Sequence, residues 1–263
     1  MSERCDVLRL GLMSYETAWR LQETLAAEIG RAQRPPALLL LEHPHTYTFG
    51  RRGHAENLLW DEAELARRGI SVHWVDRGGD VTYHGPGQLV GYPLLPLAPG
   101  GLQAALPGEP PRLPRTDYVG YVRKLETVLI AALAQLGVAA ERLEGLTGVW
   151  VQQETSWVQQ KSSWGQQKPG ASRVSAQPKA KIAAIGVKVD ARGVSRHGFA
   201  LNIAPDMEYW NGIIGCGLKD HAVTSLAELL DPVPSMPQVI NEVIRAFGQG
   251  FGYEMTENTQ QAH

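Results

Sequence analysis

A cysteine between two glycines is the residue of this chain best suited to covalent chemistry. Cys216 follows the apolar approach Ile213-Ile214-Gly215 and precedes Gly217. Small neighbours leave the sulfur accessible and let backbone N–H groups face a developing oxyanion. An ordinary thiol is only a few per cent thiolate near neutral pH, so a nucleophile at this position needs an activating neighbour. Without one, a cysteine is more typical of a small, inert core residue.

A second candidate site is the polar, glycine-rich stretch of residues 76–88, which reads Asp-Arg-Gly-Gly-Asp-Val-Thr-Tyr-His-Gly-Pro-Gly-Gln. It follows residues 70–75, whose alternation and β-branched side chains predict a strand. Glycine lets the backbone approach a ligand or adopt positive φ, and Pro86 stiffens the turn. The stretch therefore predicts a binding loop. A hairpin whose Gly-Pro-Gly turn only reverses the chain is the alternative.

Three blocks of sequence together resemble the bacterial octanoyltransferases, or lipoyl(octanoyl) transferases, of the biotin/lipoate protein ligase superfamily. The first block, residues 77–93, resembles their signature nearly residue for residue. The second comprises residues 181–186 (Lys-Ile-Ala-Ala-Ile-Gly) and 197–202 (His-Gly-Phe-Ala-Leu-Asn). The third is residues 215–218 (Gly-Cys-Gly-Leu), followed by residues 223–226 (Val-Thr-Ser-Leu). The blocks stand in the family's order and account for most of the chain outside two inserts.

The resemblance implies a catalytic pair. Cys216 matches the family's nucleophile and Lys181 the lysine that pairs with it. An ammonium beside a thiol favours the thiolate, and a lysine amine can also carry a proton. In the implied reaction Cys216 takes the octanoyl group from octanoyl-acyl carrier protein as a thioester. A lysine of an apo lipoyl domain then takes it as an amide, with Lys181 as general acid/base in both steps.

The resemblance also implies substrate-binding segments and partners. The matching residues are Arg77, Gly78, Gly79, Asp80, Val81, Thr82, Tyr83, His84, Ala184, Ile185, Gly186, Gly198, Phe199 and Ala200. The expected acceptors are the apo lipoyl domains of 2-oxoacid dehydrogenase complexes and the glycine cleavage H protein. The donor's acyl group is carried on the phosphopantetheine of acyl carrier protein. Because the thioester supplies the driving force, neither ATP, another cofactor nor a metal is expected. Many relatives have proline where this chain has Gly215, a departure that concerns the rigidity of the loop.

Three other functions remain as alternatives. An ATP-dependent lipoate–protein ligase has a Gly-Gly loop resembling residues 77–79 but needs no cysteine nucleophile. An amidotransferase would move octanoyl groups between lipoyl domains. A catalytically silent module would only bind lipoyl domains or the carrier protein. The Gly-Pro-Gly after His84 and the presence of both Lys181 and Cys216 favour the transferase.

Two neighbouring features add weaker signals. His43 and His45 could be metal ligands, but no carboxylate or cysteine at ligand spacing completes a site, so we expect a loop with His45 near the substrate. Arg51 and Arg52 are typical of a solvated face, and they are also a candidate docking patch for an acidic partner.

The pattern of elements predicts an α+β fold. Apolar periodicity and caps predict helices at residues 15–29, 61–68, from 116 or 117 to 136, 224–230 and from 235 onward. Short apolar runs predict strands at residues 38–41, 70–75, 89–95, 148–151, 182–189 and 198–203. Helices and strands mix without regular βαβ alternation, which favours one α+β domain with a largely antiparallel or mixed sheet flanked by helices. The resemblance implies the biotin/lipoate protein ligase fold.

The domain limits follow from composition. We expect a catalytic domain over residues 1–253 and a polar, frayed tail over residues 254–263. Residues 152–180 carry the near-repeat Ser-Trp-Val-Gln-Gln-Lys and Ser-Trp-Gly-Gln-Gln-Lys without an apolar period, so we expect a disordered insert.

Bulk properties exclude several classes of protein. The chain of 263 residues is 43% hydrophobic and 20% charged, which is ordinary for a globular protein. A net charge of -2 gives no overall basic field for nucleic acid. We find no signal-peptide pattern and no apolar run long enough to span a bilayer. The two cysteines do not form a disulfide framework. We therefore expect a reduced cytoplasmic protein that binds neither nucleic acid nor membrane.

Overall fold

The computed structural model describes residues 3–103, 111–114, 116–152, 178–215 and 221–257. Its strands are β1 (Glu3–Leu12), β2 (Ala37–Glu42), β3 (Thr46–Phe49), β4 (Ser71–Trp74), β5 (Val81–His84), β6 (Gln88–Leu94), β7 (Ala140–Glu141), β8 (Val149–Gln152), β9 (Lys179–Val189), β10 (Ser195–Asn202), β11 (Ala222–Val223) and β12 (Tyr253–Glu257).

Four α-helices accompany them within those residues: α1 (Tyr15–Gly30), α2 (Glu62–Arg67), α3 (Tyr118–Gln135) and α4 (Met236–Phe251). Side-chain oxygens cap three of their N-termini. Ser14 accepts from the Thr17 N–H, Asp61 from Glu64 and Asp117 from Gly120. Each cap satisfies a backbone N–H that has no partner within the helix, which fixes where the helix begins. The segment at residues 226–228, expected as part of a helix, is a short 3₁₀ turn.

A mixed sheet runs through the centre of the described chain. Its order is β12-β1-β2-β6-β10-β9-β8-β7, with β11 beside β9. The strands β12, β1 and β2 are parallel, and the succession β2-β6-β10-β9-β8-β7 is antiparallel throughout. The expected α+β fold with a mixed sheet flanked by helices is therefore confirmed.

Each face of this sheet carries its own core. Helices α3 and α4 pack together on one face, over apolar side chains that include Leu38, Leu40 and Leu201. Helix α1 covers the other face, where the alternate residues Leu39 and Leu41 point. Strand β2 is thus buried on both sides, which explains its unbroken run of leucines.

A small second sheet has the order β4-β3-β5. Its core contains Tyr47, Phe49, Val81, Tyr83 and Ile213. This sheet was only partly expected, because β3 and β5 lie in stretches interpreted as loops. Both are four residues long, so their alternation is too short to identify them without the surrounding structure.

The expected domain limits need two corrections. Residues 254–257, assigned to a frayed tail, form most of β12, whose Tyr253 and Met255 pack against the α3/α4 core. Gln152, Lys179 and Ala180, assigned to the insert, belong to β8 and β9. The rest of the expected insert, residues 153–177, and residues 258–263 of the tail lie outside the described residues. No helix in the described ranges is long and apolar enough to cross a membrane.

The pairing of β12 with β1 predicts a difference in stability between two truncated chains. A chain truncated after Glu257 keeps the five residue pairs between β12 and β1, whereas truncation after Gly252 removes them. The lost ladder and the partial burial of two large side chains should lower the free energy of unfolding by about 3 kcal/mol. Urea unfolding of the two truncated proteins measures the difference. Equal midpoints would show that β12 contributes no stability.

Candidate active site

A cleft lies between the main sheet, the small sheet and the start of α1. About 470 Å³ of it is not filled by protein atoms, a volume that includes open solvent. Its lining comes from α1, β5, β6, β9, β10 and the loop before β5, and comprises Tyr15, Arg77, Gly79, Asp80, Thr82, His84, Tyr92, Ala184, Ile185, Gly186, His197, Gly198, Phe199 and Ala200. Eleven of the fourteen substrate-binding residues expected from the sequence are in this lining. The structure therefore brings segments more than 100 residues apart into one site.

The three expected residues that do not line the cleft are Gly78, Val81 and Tyr83. In β5, Thr82 and His84 face the cleft while Val81 and Tyr83 point into the small-sheet core. This follows from the two-residue period of a strand. The Tyr83 hydroxyl is hydrogen-bonded to His45, whose ring stacks on Tyr209. His45 was expected near the substrate, but it lies on that core and not in the cleft lining.

The floor of the cleft is made of small residues on two paired strands. Ala184 lies opposite Ala200, and Gly186 lies opposite Gly198. A Cβ at Gly198 would lie 2.1 Å from the Gly91 carbonyl oxygen of β6, so that position requires glycine. These residues leave space above the sheet where larger side chains would fill it.

Backbone and guanidinium hydrogen bonds hold the glycine-rich loop over this floor. Arg77 is buried, and its Nη2 donates to the Thr48 carbonyl at 2.6 Å and to the Thr48 hydroxyl at 2.9 Å. The Gly78 N–H donates to the Val187 carbonyl of β9 at 3.0 Å. Arg51 and Arg52 are exposed, and their N–H groups donate to the Arg77 and Gly79 carbonyls. The turn that carries the candidate docking patch, Arg51 and Arg52, is therefore hydrogen-bonded directly to the glycine-rich loop.

Two cations and a histidine surround Asp76 at one end of the cleft. The Asp76 carboxylate accepts hydrogen bonds from Lys188 Nζ at 2.5 Å and from Arg196 Nη2 at 2.7 Å. It is also hydrogen-bonded to His197 Nε2 at 2.7 Å. Burial raises the pKa of Asp76, but the bonds from His197 and Lys188 and the charge of Arg196 hold it well below its usual range. His197 has a φ of 56°, which is uncommon for a non-glycine residue and indicates a locally constrained backbone.

Three buried histidines lie near Tyr15, and two of them, His84 and His197, line the cleft. Burial lowers the pKa of His43 to about 4 and that of His84 well below its usual value. Burial also lowers the pKa of His197, against the effect of Asp76. His43 is hydrogen-bonded to Tyr92, and His84 to Gln88. These rings are uncharged at neutral pH and suit an uncharged ligand. In the described part of the chain no three His, Cys, Asp or Glu side chains form a group that could hold a metal ion.

The Thr82 hydroxyl is a polar group with no protein partner within the described residues. It is buried and lies in the cleft lining. A buried hydroxyl without a hydrogen bond costs free energy, so it favours a ligand that supplies the missing partner.

Lys181 lies on β9, three residues before Ala184 of the cleft floor. Its side chain is buried, and its Nζ lies 4.8 Å from the centre of the Trp150 ring on the adjacent β8. On its other side β9 pairs with β11, where Val223 is its partner in the ladder. Lys179 and Lys188, the other lysines of this strand, bind Glu141 and Asp76. Lys181 is thus the buried lysine of β9 next to the cleft.

A buried carboxylate fixes the turn beside Lys181. Glu126 of α3 accepts from the Gly148 N–H at 3.0 Å and from Arg123 and Arg142 at 2.8 and 3.1 Å. Gly148 has a φ of 119°, and a Cβ there would lie 3.3 Å from Cε of Lys181. The glycine therefore allows β8 to start directly against the lysine side chain.

Cys216 lies outside the described residues, so its predicted contact with Lys181 stays a prediction. Its described flanks are Gly215, which packs against Trp210, and Val223, which pairs with Lys181. Cys5 is buried in β1, and burial with the charges of Asp6 and Glu3 raises its pKa to about 12. A thiol with so high a pKa is a poor nucleophile, which leaves Cys216 as the candidate.

Sequence reasoning missed three residues of the lining, Tyr15, Tyr92 and His197. Tyr92 and His197 stand within the blocks that carry the resemblance, so the resemblance could have identified them as cleft residues. Tyr15 had no such signal, because the fold alone brings the first turn of α1 to the cleft.

The chain is similar to known proteins over most of its length. The sequence profile of the lipoyl protein ligase A/B catalytic domain matches residues 14–248. An octanoyltransferase of Chloroflexus aurantiacus is 42% identical over 245 residues, 93% of each chain. An octanoyltransferase of Acidobacterium capsulatum is 40% identical and covers 95% of this chain and 91% of its own.

Solved structures confirm the fold. A bipartite lipoate protein ligase from Thermoplasma acidophilum superposes with a TM-score of 0.65 at 18% identity, over 99% of this chain and 88% of its own. A lipoate-protein ligase A bound with ATP gives a TM-score of 0.61 at 16% identity, over 99% and 90% of the two chains. At these identities the likeness concerns the fold alone. From the profile and the curated relatives, the chain belongs to the lipoyl protein ligase A/B catalytic-domain family and, within it, to the octanoyltransferases, which are acyltransferases.

Proposed function

We propose that this octanoyltransferase moves an octanoyl group from octanoyl-acyl carrier protein to a lysine of apo lipoyl domains, through an acyl thioester on Cys216. The observation that carries this proposal is the cleft itself. Eleven residues of the family's binding segments line one space with a floor of alanines and glycines. That floor continues along β9 to the buried Lys181.

The first step is attack of the Cys216 thiolate on the donor thioester. Lys181 accepts the thiol proton, the carbon–sulfur bond of the donor breaks, and the leaving phosphopantetheine thiolate takes up that proton from Lys181. The octanoyl chain lies in the cleft against Ala184, Gly186 and Ala200, and buried, uncharged histidines form part of its wall. The Thr82 hydroxyl supplies a hydrogen bond to the polar end of the acyl group.

In the second step the ε-amine of the acceptor lysine attacks the Cys216 thioester. A carbon–nitrogen bond forms, the carbon–sulfur bond breaks, and the amine proton passes through Lys181 to the leaving sulfur. The thioester supplies the free energy for amide formation, so the proposal requires neither ATP nor a metal. The acceptors are the lipoyl domains of 2-oxoacid dehydrogenase complexes and the glycine cleavage H protein. The sequence connectivity supports the pairing, since seven positions separate Cys216 from the ladder partner of Lys181.

The nucleophile generates a prediction. Cys216→Ser should lose both the transfer activity and the covalent octanoyl adduct, because an alcohol is far less ionised than a thiol at neutral pH. Cys5→Ser is the matched control and should keep both, since Cys5 is buried with a raised pKa.

Intact mass after incubation with octanoyl-acyl carrier protein, without ATP, measures the adduct. An adduct that persists on the Cys216 variant would exclude Cys216 as the nucleophile. Modification that appears only with free acid and ATP would indicate a ligase instead.

Lys181 generates a second prediction. Lys181→Met keeps most of the side-chain bulk but removes the ammonium, so iodoacetamide should alkylate Cys216 more slowly at neutral pH and at an unchanged rate at high pH. Octanoyl transfer should fall further, because general acid–base help of roughly 10²–10⁴-fold is lost as well.

Lys181→Arg separates the two roles of the lysine. A guanidinium keeps the charge but does not deprotonate in proteins, so this variant should retain much of the alkylation rate and still transfer poorly. The measurement is the alkylation rate against pH for the wild type and both variants. Three superimposable profiles would show that Lys181 does not tune the thiol.

A further inference from the structure

Asn57 connects the cleft to the segment that precedes Cys216. Its side-chain Nδ2 donates to Asp80 Oδ2 at 2.5 Å, and Asp80 lines the cleft. The other oxygen of Asp80 accepts from the Val81 N–H at 2.7 Å and from the His54 N–H at 3.2 Å. Asp80 therefore holds the turn at residues 54–57 against the glycine-rich loop with bonds that are strong because the acceptor is charged.

The backbone of the same turn binds the chain leading to the nucleophile. The Ile214 N–H donates to the Asn57 carbonyl at 2.9 Å, and the Leu59 N–H donates to the Gly212 carbonyl at 2.8 Å. Leu58 and Ile213 form the antiparallel bridge between these bonds. A short ladder thus ties residues 57–59 to residues 212–214, and Cys216 follows two positions later.

Apolar packing around this ladder stabilises it but does little to fix its register. Ile213 lies in the small-sheet core, and Trp210 packs beside both Tyr83 and Gly215. Hydrophobic contacts are non-directional. The register of residues 212–215 against the cleft therefore depends on the directional bonds, and Asn57 makes one to each side.

We propose that Asn57 is a positioning residue of octanoyl transfer, which sets the place of residues 212–215, the approach to Cys216, relative to the acyl cleft through Asp80 and Ile214. This inference rests on the proposed function. Asn57 is buried and does not line the cleft, so it acts through its two partners and not on the acyl group. A displacement of about 1 Å in a reacting group can cost on the order of 10²-fold in rate, so even a small shift of residues 212–215 on loss of the Asp80 bond would slow the transfer.

The experiment compares Asn57→Ala with a control from the same core. Asn57→Ala should lower kcat on the order of 10²-fold and leave the KM for octanoyl-acyl carrier protein within about threefold. The acyl floor on β9 and β10 is unchanged in this variant. Alkylation of Cys216 by iodoacetamide should keep its wild-type pH midpoint, because Lys181 is also untouched. Leu65→Ala is the matched control, since Leu65 is buried in the small-sheet core and makes no bond to Asp80.

Leu65→Ala should lower the melting temperature at least as much as Asn57→Ala, because removal of a buried leucine side chain is costly. Its kcat should stay within about twofold of the wild type. Asn57→Ser is the second variant, because its side chain is polar, like that of asparagine, but too short to reach Asp80. It should show the same loss of kcat with less effect on stability.

Wild-type kcat in either Asn57 variant would overturn the inference. An equal loss of kcat in Leu65→Ala would overturn it too, by showing that stability alone explains the effect. A wild-type protein that forms no octanoyl adduct would count against the proposed function and remove the inference with it. The first two results compare the kcat of variants with that of an active wild type, whereas the third concerns the wild type alone. Failure of the inference about Asn57 is therefore distinguishable from failure of the proposed function.

Discussion

The cleft depends on the way residues 77 and 78 join two sheets. The buried guanidinium of Arg77 binds Thr48 of the small sheet, while the next N–H, that of Gly78, binds Val187 of the main sheet. Two adjacent residues therefore hold the sheets at a fixed separation, and the space between them is the cleft. The cation is held by neutral oxygens of Thr48 and Gly78. Loss of its charge-assisted hydrogen bonds would lower the free energy of unfolding more than loss of hydrogen bonds between neutral groups.

The charges around that junction explain why the cleft suits an apolar ligand. The cations of Lys188 and Arg196 bind Asp76 at one end of the cleft, so opposite charges compensate each other outside the acyl space. Inside it, burial keeps His84 and His197 uncharged. An octanoyl chain gains free energy from burial at about 0.8 kcal/mol for each CH₂ group. That gain is preserved along the floor, because Ala184, Gly186 and Ala200 carry no charge that has to lose its water when the chain enters.

The sequence predicted those parts of the fold and site whose signals are local. The starts of α1 and α3, the leucine run of β2 and the cleft strands β6, β9 and β10 follow from short-range patterns. The resemblance added eleven of the cleft residues. Strand β12 was missed because Tyr-Glu-Met-Thr-Glu has the composition of a tail, and only its pairing with β1 makes it a strand. Val81 and Tyr83 were misplaced because the motif does not show which face of β5 each residue occupies.

The pairing of the ends of β8 and β9 has a consequence for the use of this protein. Gln152 pairs with Lys179, and Trp150 pairs with Lys181 two positions further along the ladder. The ends of the 153–177 segment are therefore neighbours, and the entropy of closing a loop between fixed ends grows only with the logarithm of its length. A loop of different length between these ends therefore changes the closure entropy only slightly. A fluorophore attached at its base would lie about 7 Å along the strand from Lys181, close enough to report arrival of an acyl donor.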